Sequence, residues 1–349
     1  MKRVAGLIVL LIAAAGIISM PVYAKEEVKR TVSKSFAVSS GDKLDINTQY
    51  GNVKVVEWNK PEVSFSVEII GQANNIKDAE KQLERVTLNI DKKGNKVSAH
   101  TKIASQYNCN NCGVAINYVI NAPSSLYMNF LLKYCNLSVD KTVFDFKADI
   151  QYGNLRASTL SGKNNSINIK YGNVDIINVT DLLMEIDYGN NNISKVENLN
   201  LTSSYTNDKI GEAGYISATF KYGDVKIQAI NKLEATAGYT DITISELFKN
   251  LDMPEVKYGS LKIEKVSADL DFIRANASYS GVDISVGKGN SFTTRLETSY
   301  GKIFTNGLSF SNKDSNKENT FFVGTAGNSS NPKSRIEINN RYGNISIKE

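Results

Sequence analysis

The chain has 349 residues, with 41 lysines and arginines against 36 aspartates and glutamates, and a formal net charge of +5 at pH 7. So mild a balance argues against nucleic acid as a partner, because nucleic-acid-binding domains carry a strongly basic patch. The single histidine excludes a histidine-rich metal site and weakens most hydrolase triads, so neither a metal nor another cofactor is predicted.

The first predicted element is a secretory signal peptide over residues 1–24. Lys2 and Arg3 supply the positive start, and an apolar run extends from Val4 to Ile18. Val22 and Ala24 provide the small residues of a cleavage site. A membrane anchor is less favoured, because the run is shorter than the roughly 20 residues that span a bilayer. The mature chain is predicted to be exported without a transmembrane span.

Residues 25–130 predict an irregular N-terminal cap. Period-two alternation appears in the segments that begin at Val63 and Val86. Between them, residues 76–86 predict one short helix, which Asn75 caps and whose first turn contains Asp78. A cap suits a repetitive β structure, because an uncovered end would be an edge strand. A separate N-terminal β domain is the alternative.

Three cysteines follow: Cys109, Cys112 and Cys135. Two of the three can pair in an oxidising compartment, and the sequence does not decide which two. Cys109 and Cys112 have the spacing of a redox motif, but no βαβ pattern surrounds them. They also lack the second pair of ligands that a structural zinc site needs. A structural disulfide or unpaired thiols are therefore favoured over a redox or metal role, and Cys109 and Cys112 are a possible disulfide pair.

From residue 131 onward a repeat dominates the sequence, in copies such as QYGNLRA, KYGNVDI and KYGDVKI. Successive tyrosines are separated by 17 to 21 residues. They are Tyr134, Tyr152, Tyr171, Tyr188, Tyr205, Tyr222, Tyr239, Tyr258, Tyr279 and Tyr300. Tyr342 follows 42 residues later, which is twice 21, and Phe321 stands at the midpoint. Tyr50 is interpreted as an isolated upstream copy.

Each unit predicts two short strands that flank the tyrosine. The positions two and four before the tyrosine, and three and five after it, are mostly apolar, with polar residues between them. The tyrosine shares the parity of the preceding apolar residues, so its ring is predicted to point inward and to stack in the core. The Gly-Asn pair that follows is predicted to make the bend, since both residues tolerate positive φ.

Units this short cannot bury an apolar face alone, so they must stack. The sequence thus predicts an all-β fold, a β-solenoid or β-helix with rungs of roughly 17–21 residues, over residues 131–349. The alternative is a sandwich of sequential hairpins, which would need a turn signal between every pair of strands.

Function is predicted from the outward positions. Charged residues there form a basic-leaning stripe that could meet an acidic glycan or a phosphate group, although a solvated face is the simpler interpretation. The candidate binding face is Lys170, Asp175, Lys209, Lys221, Lys226, Lys257 and Lys262. No two carboxylates stand out as an acid/base pair, so no catalytic residue is predicted. Asp208 falls at an inward position and is interpreted as part of a local bulge.

The arrangement resembles a bacterial family of exported putative adhesins, including head-domain proteins with a GIN signature. The resemblance rests on FAVSSGDKLDINTQYGNVKVVEW, on INYVINAP and on the repeated YGN units. It implies a non-enzymatic β-solenoid of a Gram-negative envelope, in the periplasm or on the cell surface, with a surface, glycan or protein partner. A carbohydrate-active enzyme on a β-helix scaffold, and a periplasmic structural or stress-response protein, are the alternatives.

Overall fold

The computed structural model describes residues 25–105, 109–308, 312–315, 318–327, 329 and 331–349, and for 312–315 the backbone alone. The predicted signal peptide lies outside the described residues. Within them, the chain is almost entirely β-strand, and no helix has the length and apolarity needed to cross a membrane.

The elements fall into three groups along the chain. The N-terminal group contains β1 (Glu26–Ala37), β2 (Lys43–Glu57), β3 (Glu62–Ala73), α1 (Ile76–Glu84), β4 (Val86–Lys93), β5 (Lys96–Ile103) and β6 (Gly113–Ala122). The repetitive group contains β7 (Tyr127–Thr142), β8 (Phe146–Gln151), β9 (Leu155–Leu160), β10 (Asn165–Lys170), β11 (Val174–Lys257), β12 (Ser260–Val266), β13 (Phe272–Ser278) and β14 (Gly281–Val286). The C-terminal group contains β15 (Phe292–Ser299), β16 (Ile303–Asn306), β17 (Asn312–Ser315), β18 (Asn319–Ala326), β19 (Ser334–Arg341) and β20 (Ile345–Lys348).

Strands of the repetitive group pair in parallel, and their register equals one tyrosine interval. β8 pairs with β10, so that Ile150 lies beside Ile169. β9 pairs with the start of β11, so that Leu155 lies beside Val174. A strand that precedes one tyrosine therefore pairs with the strand that precedes the next, and the strands that follow the tyrosines pair likewise. The repeat period predicted from the sequence therefore equals the residue offset between paired strands of a parallel sheet.

A single apolar core runs through the repetitive strands. The predicted alternation is confirmed, because every apolar position assigned inward is buried. Those before the tyrosines are Phe130, Leu132, Ala148, Ile150, Ile167, Ile169, Met184, Ile186, Ala218 and Phe220. Those after them are Leu137, Val139, Val174, Ile176, Val225, Ile227, Ile242, Ile244, Leu261, Ile263, Val282 and Ile284. Each buried Leu or Ile contributes about 2 kcal/mol of hydrophobic stabilisation, and the repetition accumulates it.

The prediction that the tyrosines point inward is wrong. The described repeat tyrosines are 38% to 53% exposed. Their backbone φ angles lie between 51° and 61°, in the left-handed region. At each corner the tyrosine and the position before it both face outward, as Gln151 and Tyr152 do, and this pair shifts the phase of the alternation by one residue. The tyrosine itself makes the bend that the sequence assigned to Gly-Asn.

The glycine after each tyrosine has a different purpose, which is close approach of two backbones. A Cβ built on Gly172 would lie 1.8 Å from the carbonyl oxygen of Gly153 in the preceding unit. The same contact recurs at Gly189, where a Cβ would lie 1.8 Å from the carbonyl oxygen of Gly172. Such distances exclude any side chain, so glycine is required here by space and not by a positive φ.

The N-terminal group joins the repeat through β2. Residues 43–55 of β2 pair in parallel with β7, which brings Tyr50 beside Tyr134, so Tyr50 is not isolated. On its other edge β2 pairs in parallel with β5 and β6. The predicted helix is confirmed as α1, and the side chain of Asn75 accepts a hydrogen bond from the Asp78 amide at 2.9 Å.

The C-terminal strands do not follow chain order. β19 pairs in parallel with β13 on one side and with β15 on the other, and β20 likewise lies between β14 and β16. The unit of Tyr342 is thus inserted between those of Tyr279 and Tyr300. Phe321 is not the centre of a repeat unit, because it lies in β18, which pairs antiparallel with β15. The even 42-residue spacing reflects this excursion and return.

Candidate functional site

The exposed tyrosines form one continuous stack, here called the tyrosine ladder. In spatial order its members are Tyr50, Tyr134, Tyr152, Tyr171, Tyr188, Tyr205, Tyr222, Tyr239, Tyr258, Tyr279, Tyr342 and Tyr300. Neighbouring ring centroids are 4.7 to 5.1 Å apart, and the ring planes differ by 1° to 16°. Eleven such spacings extend the ladder over roughly 54 Å, which follows from a strand spacing of about 4.8 Å.

Stacking determines what the ladder presents to a partner. The faces of each internal ring are covered by its two neighbours, so the outward surface consists of ring edges and hydroxyl groups. Desolvation, followed by repulsion from the neighbouring phenols, raises the pKa of Tyr188. That hydroxyl therefore remains protonated at neutral pH and is available as a hydrogen-bond donor. The outward surface of the ladder is therefore a row of hydroxyl donors between the apolar edges of the rings.

The ladder is held in a costly backbone conformation. A left-handed residue with a bulky side chain costs about 1 kcal/mol or more, whereas glycine or asparagine adopts it more cheaply. A stacked aromatic pair contributes about 0.5–1.5 kcal/mol beyond its buried area. The strain energy and the stacking energy are similar in magnitude, so stacking offsets the strain but adds little net stability. The backbone alone does not favour tyrosine at these corners, and the rings are the reason for its presence.

A second ladder of asparagines runs beside the tyrosines, two residues further along each unit. The amide nitrogen of Asn173 donates to the side-chain oxygen of Asn154 at 2.9 Å, and that of Asn190 donates to Asn173 at 2.8 Å. The asparagine ladder consists of the hydrogen-bonded residues Asn52, Asn136, Asn154, Asn173, Asn190 and Asn207. Asp224 and Asp241 continue the same position in the next two units. These side chains form the second-residue column.

Three of the predicted binding residues flank the ladder on its other side. Lys170, Lys221 and Lys257 each precede a ladder tyrosine and are exposed, together with Lys133 and Arg341. We call this set the preceding column. The Lys133 ammonium lies 5.5 Å from the ring centroid of Tyr134, and the Arg341 guanidinium lies 5.0 Å from that of Tyr342. These distances allow cation–π attraction between the column and the ladder.

The other four predicted residues lie on a different column, four positions after each tyrosine. Lys209, Lys226 and Lys262 line one shallow groove, which also contains Asn192 and Glu264. Asp175 is in the next unit along and accepts a hydrogen bond from the Asn192 amide at 3.1 Å. The seven predicted residues are all exposed, but they form two columns separated by the tyrosine and second-residue positions.

Ion pairs neutralise part of this charge. The Lys257 ammonium lies 2.6 Å from Glu255, and that of Lys262 lies 2.8 Å from Glu264. Lys170 is 3.9 Å from Asp187 of the next unit. Exposed pairs of this kind contribute little to stability, about 0–1 kcal/mol each. Neither column is therefore a strong cationic site by itself.

One buried carboxylate lies inside the repetitive part. Asp208 is 2% exposed, accepts hydrogen bonds from Asn191 at 3.0 Å and from Ser203 at 2.5 Å, and has Thr206 beside it at 3.1 Å. Desolvation raises the pKa of this carboxyl group. No partner cation approaches it among the described contacts, and it is closed off from the surface. The predicted bulge at this unit contains a polar core cluster.

The described residues contain no group of three histidine, cysteine, aspartate or glutamate side chains that could hold a metal ion. His100 is partly exposed and its Nε2 lies 3.0 Å from Asp45. Cys109 and Cys112 have Cα atoms 5.6 Å apart, a separation that suits a disulfide, while Cys135 is free and buried. Burial raises the pKa of the Cys135 thiol to about 11.

Neither a protein-family model nor a curated protein matches this chain. The solved structures with similarity include a putative cell adhesion protein from Clostridium sporogenes ATCC 15579, with 14% identity over 92% of this chain and 99% of that chain, at a TM-score of 0.22. A putative lipid binding protein from Parabacteroides distasonis ATCC 8503 has 13% identity over 74% and 97%, at 0.37. A putative adhesin from Bacteroides fragilis NCTC 9343 has 12% identity over 91% and 97%, at 0.30. Similarity at this level leaves the argument to the residues of this chain.

The repeated tyrosines were visible in the sequence, but the prediction that their rings point inward was incorrect. The prediction continued the inward–outward alternation through the tyrosine, whereas two consecutive solvent-facing positions at the corner interrupt that alternation. The asparagine ladder had a visible signal, since asparagine recurs two positions after seven of the ladder tyrosines. Identical amides at one repeated position form ladders between paired strands. That recurrence was interpreted as a bend and not as a surface.

Proposed function

We propose that this chain is an exported, non-enzymatic, adhesin-like β-solenoid that binds an envelope surface, a glycan or a protein along the tyrosine ladder. The signal peptide predicted over residues 1–24 supports export to the periplasm or cell surface of a Gram-negative bacterium. Parallel pairing with a register of one unit supports a solenoid over residues 131–349, and the additional strands and helix of residues 25–130 support a cap.

The observation that carries the binding role is the exposure of the ladder. Tyrosine combines a large apolar body with a polar tip and is enriched at protein interfaces. Here these rings form one unbroken stripe, which the asparagine ladder and the preceding column border with donors and cations. A monomeric protein rarely leaves so long an apolar stripe in water without a use for it. We assign recognition to this stripe and not to the groove around Lys226.

Binding of the mature chain to arrays of glycans and envelope components tests the proposal. Replacing Tyr152, Tyr188 and Tyr222 together by asparagine removes three rings while keeping a residue that tolerates positive φ. We expect this variant to lose most of the binding.

The matched control replaces Lys209, Lys226 and Lys262 by glutamine, which changes an equal number of exposed side chains in the other column. This control should bind as the wild type does. Loss of binding in the control alone would overturn the assignment to the ladder. Cleavage of any arrayed glycan would overturn the non-enzymatic role.

A further inference from the structure

The ladder has a repeat that few partners can follow along its whole length. Its spacing stays between 4.7 and 5.1 Å at every step, because paired strands set it. A partner with another repeat would lose register after several units. A second copy of the chain has the same repeat, so all of its ring edges and hydroxyl groups can meet those of the first in register.

The exposed area of the ladder is sufficient for a stable dimer. A tyrosine side chain offers about 200 Å², and roughly half of it is exposed here, so twelve rings present about 1,200 Å². A standard interface buries about 800 Å² on each partner. Two ladders in contact would reach that value with two-thirds of their rings, before the flanking columns are included.

Charge decides the direction of such a pair. When two copies face each other in antiparallel directions, preceding column meets preceding column. With full overlap, Lys133 then lies opposite Arg341, and Lys170 lies opposite Lys257. These are like charges, and their juxtaposition in an interface is unfavourable.

In the parallel arrangement the preceding column of each copy meets the second-residue column of the other. Lys221 then lies opposite Asp224 of the second copy, and the symmetry provides this pair twice. Lys170 meets Asn173, and Lys257 meets Ser260, which lies two positions after Tyr258, so each of these cations faces a hydrogen-bonding group. Parallel docking avoids both like-charge contacts.

We propose that the tyrosine ladder binds the ladder of a second copy of this chain, side by side and in the same direction. The inference rests on the proposed function, and it identifies the protein partner of the ladder as a second copy of this chain. The two copies point the same way, as neighbours on one surface do, so the contact joins molecules of a single envelope.

A charge swap measured by sedimentation equilibrium tests the pairing. Lys221→Glu or Asp224→Lys alone places two like-charge pairs in the parallel dimer, and we expect each to weaken association tenfold or more. The double variant restores opposite charges, and association should return to within about threefold of the wild type. Lys226→Glu, which makes the same charge change in the groove, is the control and should have no effect.

A spin label at Lys54→Cys, beside the first ladder tyrosine, tests direction. Parallel docking brings the two labels to the same end, whereas antiparallel docking separates them by roughly the 54 Å of the ladder. A short distance together with rescue by the double variant supports the proposal. Long label distances, or a double variant as weak as the single ones, would overturn it.

This outcome is separable from that of the proposed function. A wild-type chain that remains monomeric while its ladder binds an arrayed envelope component overturns self-association and leaves the adhesive role standing. Self-association that follows the charge swap supports the inference even where no arrayed component binds.

Discussion

The close approach at the corner glycines makes Gly172→Ala the most informative single substitution. The new Cβ would meet the Gly153 carbonyl oxygen at 1.8 Å, whereas ordinary contact begins near 3.4 Å. The two units must separate locally by about 1.6 Å. Hydrogen bonds between them, including Leu155 N to Asn173 O at 2.9 Å and Tyr152 N to Lys170 O at 2.9 Å, would then be broken.

Two lost hydrogen bonds cost about 1 kcal/mol each, and forced overpacking adds about 1–3 kcal/mol. We therefore expect Gly172→Ala to lower the free energy of unfolding by about 4 kcal/mol. Urea unfolding followed by far-UV circular dichroism measures it. Gly238→Ala is the matched control, because it also adjoins a ladder tyrosine but its Cβ would meet nothing within 4 Å. Equal stability of the two variants would refute the argument from close approach.

Three further predictions concern single side chains. At Tyr188, phenylalanine should be tolerated, whereas asparagine should lower the free energy of unfolding by about 1–2 kcal/mol through lost stacking. Valine should lower it further, because a β-branched residue resists positive φ. Equal urea midpoints for the asparagine and valine variants would contradict this. Cys135 should not react with a thiol reagent in the native protein at pH 8, because a thiol of pKa about 11 is ionised there in about one molecule in a thousand. One thiol should be titrated after denaturation and three after reduction, and a count of three without reduction would contradict the Cys109–Cys112 pair. Burial raises the pKa of Asp208 above its ordinary value of 3.8, so the native state is favoured most below that value and loses stability as the pH rises through the raised pKa. The gain in unfolding free energy from Asp208→Asn should therefore be larger at pH 7 than at pH 4, and a gain independent of pH would show that this carboxyl group is not responsible.

The alternation of apolar residues was sufficient to predict the strands and their buried faces. Ile169 and Val174 are separated by four residues of mixed polarity, yet both were placed inward correctly, because each belongs to a strand whose period can be counted separately. The helix α1 was equally accessible, since Asn75 and Asp78 are local capping signals. Local patterns of this kind need no knowledge of the rest of the chain.

The direction of the tyrosines was not predictable from the same pattern. Tyrosine rarely adopts positive φ, so the bend was assigned to the neighbouring residues with the lower cost. The neighbouring unit reverses that preference. Its backbone is only one strand away and leaves no room for a side chain on the residue after Tyr171, and stacking on its tyrosine offsets the strain of Tyr171 itself. Contacts between units also decide the location of Tyr342, which no spacing along the chain reveals.

The insertion of β19 and β20 between earlier strands bears on the order in which the molecule is built. Units from Tyr134 to Tyr279 can join the sheet one after another as the chain emerges during synthesis. The unit of Tyr300 is synthesised before that of Tyr342, but among the described residues its strands pair with the earlier repeat units only through those of the Tyr342 unit. Its strand β15 can pair with β18, but the unit cannot join the earlier units until residues 334–348 arrive, and the two units then join in one step. Assembly at this end is thus concerted, and its completion depends on the last segment to be synthesised.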